Sequence, residues 1–132
     1  MAKVSQYKIK NEEFLQEIAK RENIQNIGKG LLVEVLKEGQ GVSPTTANVV
    51  SVYYKGTTID GHVFDDNTNQ GYPDAFRLQE LIVAWQMALP KMKVGDKWKI
   101  YVPAELGYGS KGSNGIPRHS TLIFEIELVS VN

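Results

Sequence analysis

The sequence predicts an α+β domain built from one antiparallel β-sheet and one main helix. Strand-like segments follow one another along the chain without regular helical crossovers between them, which is typical of antiparallel pairing. One segment of the central region shows the helical spacing of apolar residues. A chain of 132 residues that is 42% hydrophobic can form one continuous core and leaves little room for a second domain.

A short helix is expected near the N-terminus. Asn11 has the side chain of a helix N-cap, and the two glutamates that follow it place acid in the first turn. Phe14 and Ile18 then share one face of the helix. We expect this helix to end before Gly28 or Gly30.

Strands are predicted where β-branched and aromatic residues cluster or where apolar and polar residues alternate. The predicted strands are residues 31–36, residues 49–55, a strand that begins at 63–64, residues 97–102 and residues 121–129. The pair Asp60-Gly61 lies between apolar residues and predicts a hairpin turn before the strand at 63–64.

The main helix is predicted from apolar residues spaced along one helical face. These residues are Leu78, Leu81, Ile82, Trp85 and Leu89. Pro90 is expected to stop the helix. Residues 65–73 are polar and predict a loop, and the glycine-rich stretch 103–119 is too long for a simple turn. Loops of that length within a compact domain are usually functional.

Composition excludes several classes of protein. Fifteen basic and fifteen acidic side chains cancel, which argues against a binder of nucleic acid or acidic lipid. The absence of cysteine excludes a disulfide scaffold and a thiolate zinc site. No stretch approaches the roughly 20 apolar residues that span a bilayer, and residues 1–8 lack the apolar run of a secretory signal. We expect a cytoplasmic protein; a periplasmic protein or lipoprotein whose leader was removed stays open.

A glycine motif at residues 107–112 matches G-x-G-x-x-G, the fingerprint of dinucleotide sites. Such a site needs a preceding strand and a following helix whose N-terminus faces the pyrophosphate. Pro103 precedes the motif and Pro117 follows it closely, so no helix can begin there. A nucleotide site is not expected.

Two other patterns suggest metal or covalent chemistry. Asp65, Asn67 and Asn69 are spaced like the start of a calcium loop, but later positions of that loop do not match, and a solvated turn is expected instead. His62 and His119 are not paired with a carboxylate by spacing, and no G-x-S-x-G elbow is present. The sequence alone leaves a Ser-His-Asp hydrolase open but does not favour it.

From residue 30 to the end, the chain resembles the FKBP family of peptidyl-prolyl cis-trans isomerases. The matching segments are VYYKG at 52–56, DGHVFD at 60–65, FRL at 76–78, LIVAW at 81–85, MKVGD at 92–96, PAELGYG at 103–109, GIP at 115–117 and TLIFEIEL at 121–128. The N-terminal helix and residues 30–33 also resemble the approach to this domain in bacterial members of the Mip and FkpA kind. The resemblance divides the chain into an N-terminal helical extension, 1–29, and an isomerase domain, 30–132.

The resemblance implies a twisted antiparallel sheet, a half-barrel, wrapped around the short helix that carries Trp85. It also implies a pocket in which Trp85 forms the floor, Tyr108 places a hydroxyl at the rim, and the backbone N–H of Ile82 donates to a carbonyl of the bound chain. The implied catalytic residues are Tyr54, Phe64, Asp65, Trp85 and Tyr108, and the implied substrate-binding residues are Leu81, Ile82, Ile116 and Phe124.

The implied activity is rotation about X-Pro bonds in peptides or unfolded proteins, without a cofactor or a metal, by a monomer. Five positions depart from the family pattern, and Ala84 and Ala88, which replace glycines around the helix of Trp85, are two of them. Asp74 stands where an aromatic residue is usual, Gln70 replaces an arginine that often partners Asp65, and Ser113 lies in the long loop. We therefore expect reduced affinity for macrolides such as tacrolimus and rapamycin. A client-binding module without turnover, acting as a chaperone, stays open as an alternative.

Overall fold

A computed structural model describes residues 5–132, and residues 1–4, on which part of the expectation about a secretory signal rests, lie outside that range. The α-helices are α1 (Gln6–Ala19) and α2 (Val83–Ala88). The strands are β1 (Gln25–Asn26), β2 (Leu32–Lys37), β3 (Val49–Thr57), β4 (Val63–Asp66), β5 (Asp74–Arg77), β6 (Lys97–Val102) and β7 (Leu122–Val131). Short 3-10 turns cover Leu78–Glu80, Leu89–Lys91 and Ala104–Leu106. None of the helices within 5–132 is long and apolar enough to cross a membrane.

The strands form one antiparallel sheet in the order β1-β2-β6-β7-β3-β4, with β5 paired to the same edge of β3 as β4. The long strands β3 and β7 lie side by side, so that Gly56 is opposite Phe124. On the other edge of β7, Phe124 is opposite Ile100 of β6. This register brings residues from distant parts of the chain to one end of the sheet. The predicted α+β fold, with a mostly antiparallel sheet and an added N-terminal helix, is confirmed.

The two faces of the sheet carry two separate apolar clusters, because side chains alternate along each strand. One face, which we call the inner face, packs on α2 and contains Val33, Ile100 and Phe124 together with Trp85. The other, the outer face, is covered by α1 around Leu32 and Tyr101. Its buried residues are Ile18, Leu32 and Tyr101, with Phe14, Leu15, Ile24 and Ile123 packed around them. The division of the chain at residue 30 stays a prediction.

The single helix predicted across residues 78–89 is wrong in its continuity. Leu81 has extended backbone, with φ −87° and ψ 168°, and separates the first 3-10 turn from α2. Pro90 lies in the first turn of a third short segment, where its missing N–H is not needed. The apolar spacing survives because each short turn directs its apolar residues into the same core.

The predicted start of the N-terminal helix is also wrong. The helix begins at Gln6, and the side chain of Ser5 caps it by accepting from the N–H of Lys8. Asn11 lies inside the helix and is buried, with its carboxamide bonded to residues outside its own turn. A polar residue that serves a tertiary contact carries the same sequence signature as a cap. Strands β1 and β5 were not predicted, since each is short and neither alternates clearly.

Candidate active site

A cavity of about 290 Å³ opens at one end of the sheet, between β3, β4, α2 and the loop that precedes β7. Its lining is mostly aromatic and aliphatic. The lining residues are Tyr54, Phe64, Asp65, Phe76, Leu81, Ile82, Trp85, Tyr108, Ser113, Asn114, Ile116 and Phe124. Small-molecule sites are usually concave apolar pockets of this size with a few placed polar groups.

Trp85 lies at the centre of the aromatic lining and is 4% exposed. The rings of Tyr54 and Phe124 stand edge-on to its indole, with centroids at 5.1 Å and 5.3 Å. Phe76 makes a third edge-on contact at 6.3 Å. Phe64 packs edge-on against Phe124 at 5.6 Å and is only partly buried. These distances and tilts are those preferred by aromatic pairs, so the rings support one another and leave the hollow between them.

Gly56 of β3 allows two of these rings to lie against the strand. A Cβ at this position would meet Cζ of Phe64 at 2.6 Å and Cε1 of Phe124 at 2.8 Å. Contacts that short do not occur between real carbon atoms, so any other residue would displace the rings. The glycine therefore helps to set the width of the pocket.

The polar side of the pocket contains Tyr54 and Asp65. The Tyr54 hydroxyl donates a hydrogen bond to Oδ2 of Asp65. Burial, followed by this bond and by the negative charges of Asp65 and Asp74, raises the pKa of Tyr54 well above its ordinary value. The phenol is therefore held in its protonated form, as a donor to a carboxylate that reaches the exposed mouth of the pocket.

Asn67 is buried and fixes Asp74 relative to β3. Its Oδ1 accepts from the Tyr54 N–H at 2.7 Å, while its Nδ2 donates to the Val52 carbonyl and to Oδ2 of Asp74, each at 3.0 Å. The expectation of a solvated turn at residues 65–69 is therefore wrong for Asn67. Sequence spacing gave no sign of this role, because the partners lie on another strand.

Gln70 does not bond to Asp65, as an arginine at this position often does in the family. Its Nε2 donates instead to the carbonyl of Tyr72 at 2.8 Å. The donor that Asp65 uses is the Tyr54 hydroxyl. Within residues 5–132 the one ion pair joins Lys20 to Glu17, far along the chain on α1, so Asp65 has no cationic partner there.

Ile82 is the N-cap of α2, and its carbonyl accepts from the N–H groups of Trp85 and Gln86. Within the described part of the chain, no group accepts from the N–H of Ile82 itself. The side chain of Gln86 donates to the carbonyls of Leu81 and Gln79 at 2.7 Å and 3.2 Å. The extended segment that presents the Ile82 amide is thus tied to α2.

The structure brings all nine sequence-predicted site residues to this one cavity, while their roles in catalysis stay predictions. Tyr108 lies at the rim and is 38% exposed, whereas Ile116 is buried in the wall. Sequence reasoning missed Phe76, Ser113 and Asn114 as lining residues. Phe76 belongs to one of the segments that carry the family resemblance, but β5, which directs it inward, was not predicted.

The alternative motifs do not form sites of their own. Residues 107–112 follow a 3-10 turn and continue as irregular loop, so no helix N-terminus faces a phosphate there. Within residues 5–132, no group of three His, Asp or Glu side chains is placed to hold a metal ion.

The fold and the pocket together define a class of protein, an open antiparallel sheet around a short helix with an aromatic pocket at one end. Comparison with known proteins shows which family has this fold and pocket. Residues 40–129 match the family of FKBP-type peptidyl-prolyl cis-trans isomerases. The chain belongs to this family.

Relatives come from several bacteria. FkpA of Escherichia coli strain K12 is 40% identical over 122 residues, which cover 92% of this chain and 45% of that protein. Mip of Coxiella burnetii is 42% identical over 123 residues, covering 92% of this chain and 54% of that protein. The chain therefore spans about half the length of these relatives.

Solved structures show the same architecture. The crystal structure of Escherichia coli FkpA superposes with a TM-score of 0.90 at 39% identity, covering 96% of this chain and 59% of the other. A peptidyl-prolyl cis-trans isomerase from Pseudomonas syringae pv. tomato also gives a TM-score of 0.90, at 30% identity, covering 100% of this chain and 98% of the other. The second comparison shows a structure of the same extent as this chain.

Proposed function

We propose that this chain catalyses cis-trans rotation about X-Pro bonds in peptides or folding proteins. The observation that carries the proposal is the cavity of about 290 Å³ whose walls are aromatic rings around Trp85. A prolyl ring is small, apolar and rigid, and fits such walls. The family to which the chain belongs acts on the same bond.

The reaction needs no covalent chemistry. An X-Pro amide resists rotation because resonance gives its C–N bond partial double-bond character, with a barrier of about 18–20 kcal/mol. Uncatalysed exchange takes tens to hundreds of seconds. In the twisted transition state that resonance is lost, and the carbonyl oxygen carries less charge than in the planar amide.

The pocket favours the twisted amide by removing water. Water stabilises the more polar planar form, so a site that replaces water with the rings of Tyr54, Phe64 and Phe124 narrows the gap to the transition state. The edge-on packing around Trp85 keeps these rings in place before the substrate arrives. The surface is therefore preorganised and does not collapse onto itself.

Hydrogen bonding orients the substrate within the pocket. The N–H of Ile82, at the N-cap of α2 and next to the cavity, is in this proposal the donor to a carbonyl of the bound chain. The Tyr108 hydroxyl at the rim offers a second donor. Acceleration by about a millionfold corresponds to about 8 kcal/mol, which desolvation and orientation can share.

A protease-coupled assay on Xaa-Pro tetrapeptides tests the proposal. The purified chain is expected to accelerate isomerisation in proportion to its concentration, and the Phe64→Ala variant is expected to be slower. Binding of a proline peptide in the absence of turnover would instead identify a client-binding module. If the chain shows no turnover and binds no proline peptide, the pocket is not a proline site.

We further propose that macrolides such as tacrolimus bind this pocket weakly, and that the chain acts as a monomer. Asp74 supports the first point, because its carboxylate, bonded to Asn67, stands where an aromatic wall is usual in the family. Asp74→Phe should tighten macrolide binding by about twofold to tenfold, since an aromatic contact contributes about 0.5–1.5 kcal/mol beyond its buried area.

Asp74→Asn is the matched control, because it removes the charge without adding a ring. Titration of the intrinsic fluorescence of the two tryptophans, of which Trp85 lines the pocket, measures the affinity in each variant. Analytical ultracentrifugation measures the oligomeric state. Nanomolar binding by the unaltered chain, or no gain in Asp74→Phe, would contradict the proposal on macrolides.

A further inference from the structure

Helix α1 packs on the outer face of the sheet, away from the cavity, yet it contacts the segment that carries one pocket wall. That segment, residues 116–121, begins with Ile116 in the wall and runs directly into β7. Its contacts with α1 are made by polar side chains that are largely buried. Buried polar groups that are fully bonded fix geometry more sharply than apolar contacts.

The first connection is made by Asn11, in the middle of α1. Its Oδ1 accepts from the backbone N–H of Thr121 at 2.7 Å, and its Nδ2 donates to the Tyr7 carbonyl at 2.7 Å. Asn11 is 2% exposed and Thr121 is 1% exposed. The carboxamide therefore holds the residue that begins the approach to β7, three positions before Phe124 of the pocket wall.

The second connection is a chain of three groups. The hydroxyl of Tyr7 is 2.9 Å from Oγ of Ser120, and that Oγ donates to the Pro117 carbonyl at 2.7 Å. Pro117 directly follows Ile116 in the sequence. One end of this chain is on α1, and the other end is one residue from the cavity.

The other backbone hydrogen bonds of the loop before β7, residues 103–121, join residues within the loop, while Ile116 also packs in the inner core. The base of the loop is joined by the bond from the His119 N–H to the Gly109 carbonyl at 2.9 Å, and its tip by the short bridge between Ser113 and Ile116. Ser113 and Asn114 at the tip are exposed. These bonds hold the loop together internally, whereas those from α1 fix its position relative to the sheet.

We propose that α1 positions the Ile116 wall of the pocket through Asn11 and Tyr7, so that turnover depends on a helix that does not touch the substrate. Asn11 and Tyr7 are then positioning residues. The inference rests on the proposed isomerase function. Catalysis that works by shape and desolvation is sensitive to such support, because a displacement of about 1 Å at a site can cost up to about a hundredfold in rate.

The test compares the unaltered chain with Asn11→Ala, Tyr7→Phe, Ile116→Ala and the double variant Asn11→Ala/Ile116→Ala in the tetrapeptide assay. Asn11→Ala should lower kcat/KM about fivefold to tenfold and Tyr7→Phe by less, with the amide of Thr121 exchanging faster with solvent in Asn11→Ala. Because α1 acts through Ile116, the double variant should be little slower than Ile116→Ala alone. Glu13→Ala, an exposed substitution on the same helix, should leave kcat/KM unchanged.

The outcomes distinguish a failure of the isomerase proposal from a failure of the positioning proposal. An inactive unaltered chain would count against the isomerase function itself, whereas an active chain with folded, fully active Asn11→Ala and Tyr7→Phe variants would overturn the positioning role alone. Losses that multiply in the double variant would also overturn it, because they would show that α1 acts by a route other than Ile116. If Asn11→Ala does not fold, Tyr7→Phe in the Ile116→Ala background gives the same comparison.

Discussion

The apolar clusters on the two faces of the sheet differ in how they are packed. On the outer face, α1 packs on the cluster of Ile18, Leu32 and Tyr101, and the buried carboxamide of Asn11 has partners at both ends. On the inner face, the rings around Trp85 stop short of filling the space and leave a cavity of about 290 Å³. Protein interiors are normally packed as densely as organic crystals.

The polar groups of the two faces differ in the same way. Among residues 5–132, the one buried side-chain nitrogen or oxygen without a hydrogen-bond partner is Nε1 of Trp85, on the inner face. A buried donor of this kind costs about 1–3 kcal/mol. The hollow and the unpaired donor occur together on the inner face, which supports the proposal that this face receives a ligand. The outer face is arranged for stability and support.

Trp85→Ala should have the largest effect, because it breaks the inner face at its centre. Removing a buried tryptophan costs about 3–5 kcal/mol of unfolding free energy. The rings of Tyr54 and Phe124 lose their common edge-on partner, so kcat/KM should also fall by at least about tenfold. Urea denaturation and the tetrapeptide assay measure the two effects, with Trp85→Leu as a milder variant. Full activity in a folded Trp85→Leu chain would show that the floor of the pocket lies elsewhere.

Leu128→Ala and Phe64→Ala should separate stability from activity. Leu128 is fully buried in the same core but does not line the cavity, so its truncation should cost about 2–5 kcal/mol and leave kcat/KM of the folded fraction unchanged. Phe64 lines the cavity and is only partly buried. Its truncation should therefore cost less stability and lower kcat/KM about tenfold. Equal effects of both variants on activity would mean that the cavity wall has no special role.

Gly56→Ala should narrow the pocket from the side of β3. The added Cβ would displace the rings of Phe64 and Phe124, and overpacking of this kind costs about 1–3 kcal/mol. We expect kcat/KM to fall about tenfold with a smaller loss of stability than in Trp85→Ala. Thr57→Ala, on the opposite face of β3, is the control and should retain activity. An active Gly56→Ala chain would show that the rings can shift without consequence.

Local alternation in the sequence was enough to predict the long strands. The strands at 97–102 and 121–129 follow a period of two, which needs no information from elsewhere in the chain. The helix at 78–89 was predicted as continuous because its apolar spacing is shared by three short turns. The role of Asn11 could not be predicted either, since its partner, Thr121, is close only after folding.

The candidate site depended on family resemblance. No spacing within the sequence shows that Tyr54, Phe64 and Phe124 meet, because their contact is set by the register of β3 with β4 and β7. The family resemblance indicated those lining residues, but it did not indicate the residues that hold them in place. Asn67 and Gly56 shape the pocket without belonging to its lining, and only the folded structure assigns them that part.

Tyr54→Phe should have the smallest effect, and one that appears mainly with pH. The pKa of Tyr54 is raised in the folded chain above its ordinary value of 10.0, first by burial and then by the bond to Asp65. Below pH 10.0, the ordinary pKa, both the folded and the unfolded chain keep the phenol protonated, and Tyr54 makes its full contribution to the free energy of unfolding. As the pH rises past it, the unfolded chain loses the proton first, so the free energy of unfolding falls. The phenylalanine variant lacks this contribution.

Urea denaturation at about pH 8 and about pH 11 measures the effect. The stability advantage of the unaltered chain over Tyr54→Phe should shrink between the two, whereas Tyr53→Phe, which alters the neighbouring tyrosine on the other face of β3, serves as the control. An advantage that stays constant would mean that neither burial nor the bond to Asp65 raises the pKa of Tyr54 in the folded chain. In that event the polar side of the pocket would be held by Asn67 through the backbone of β3.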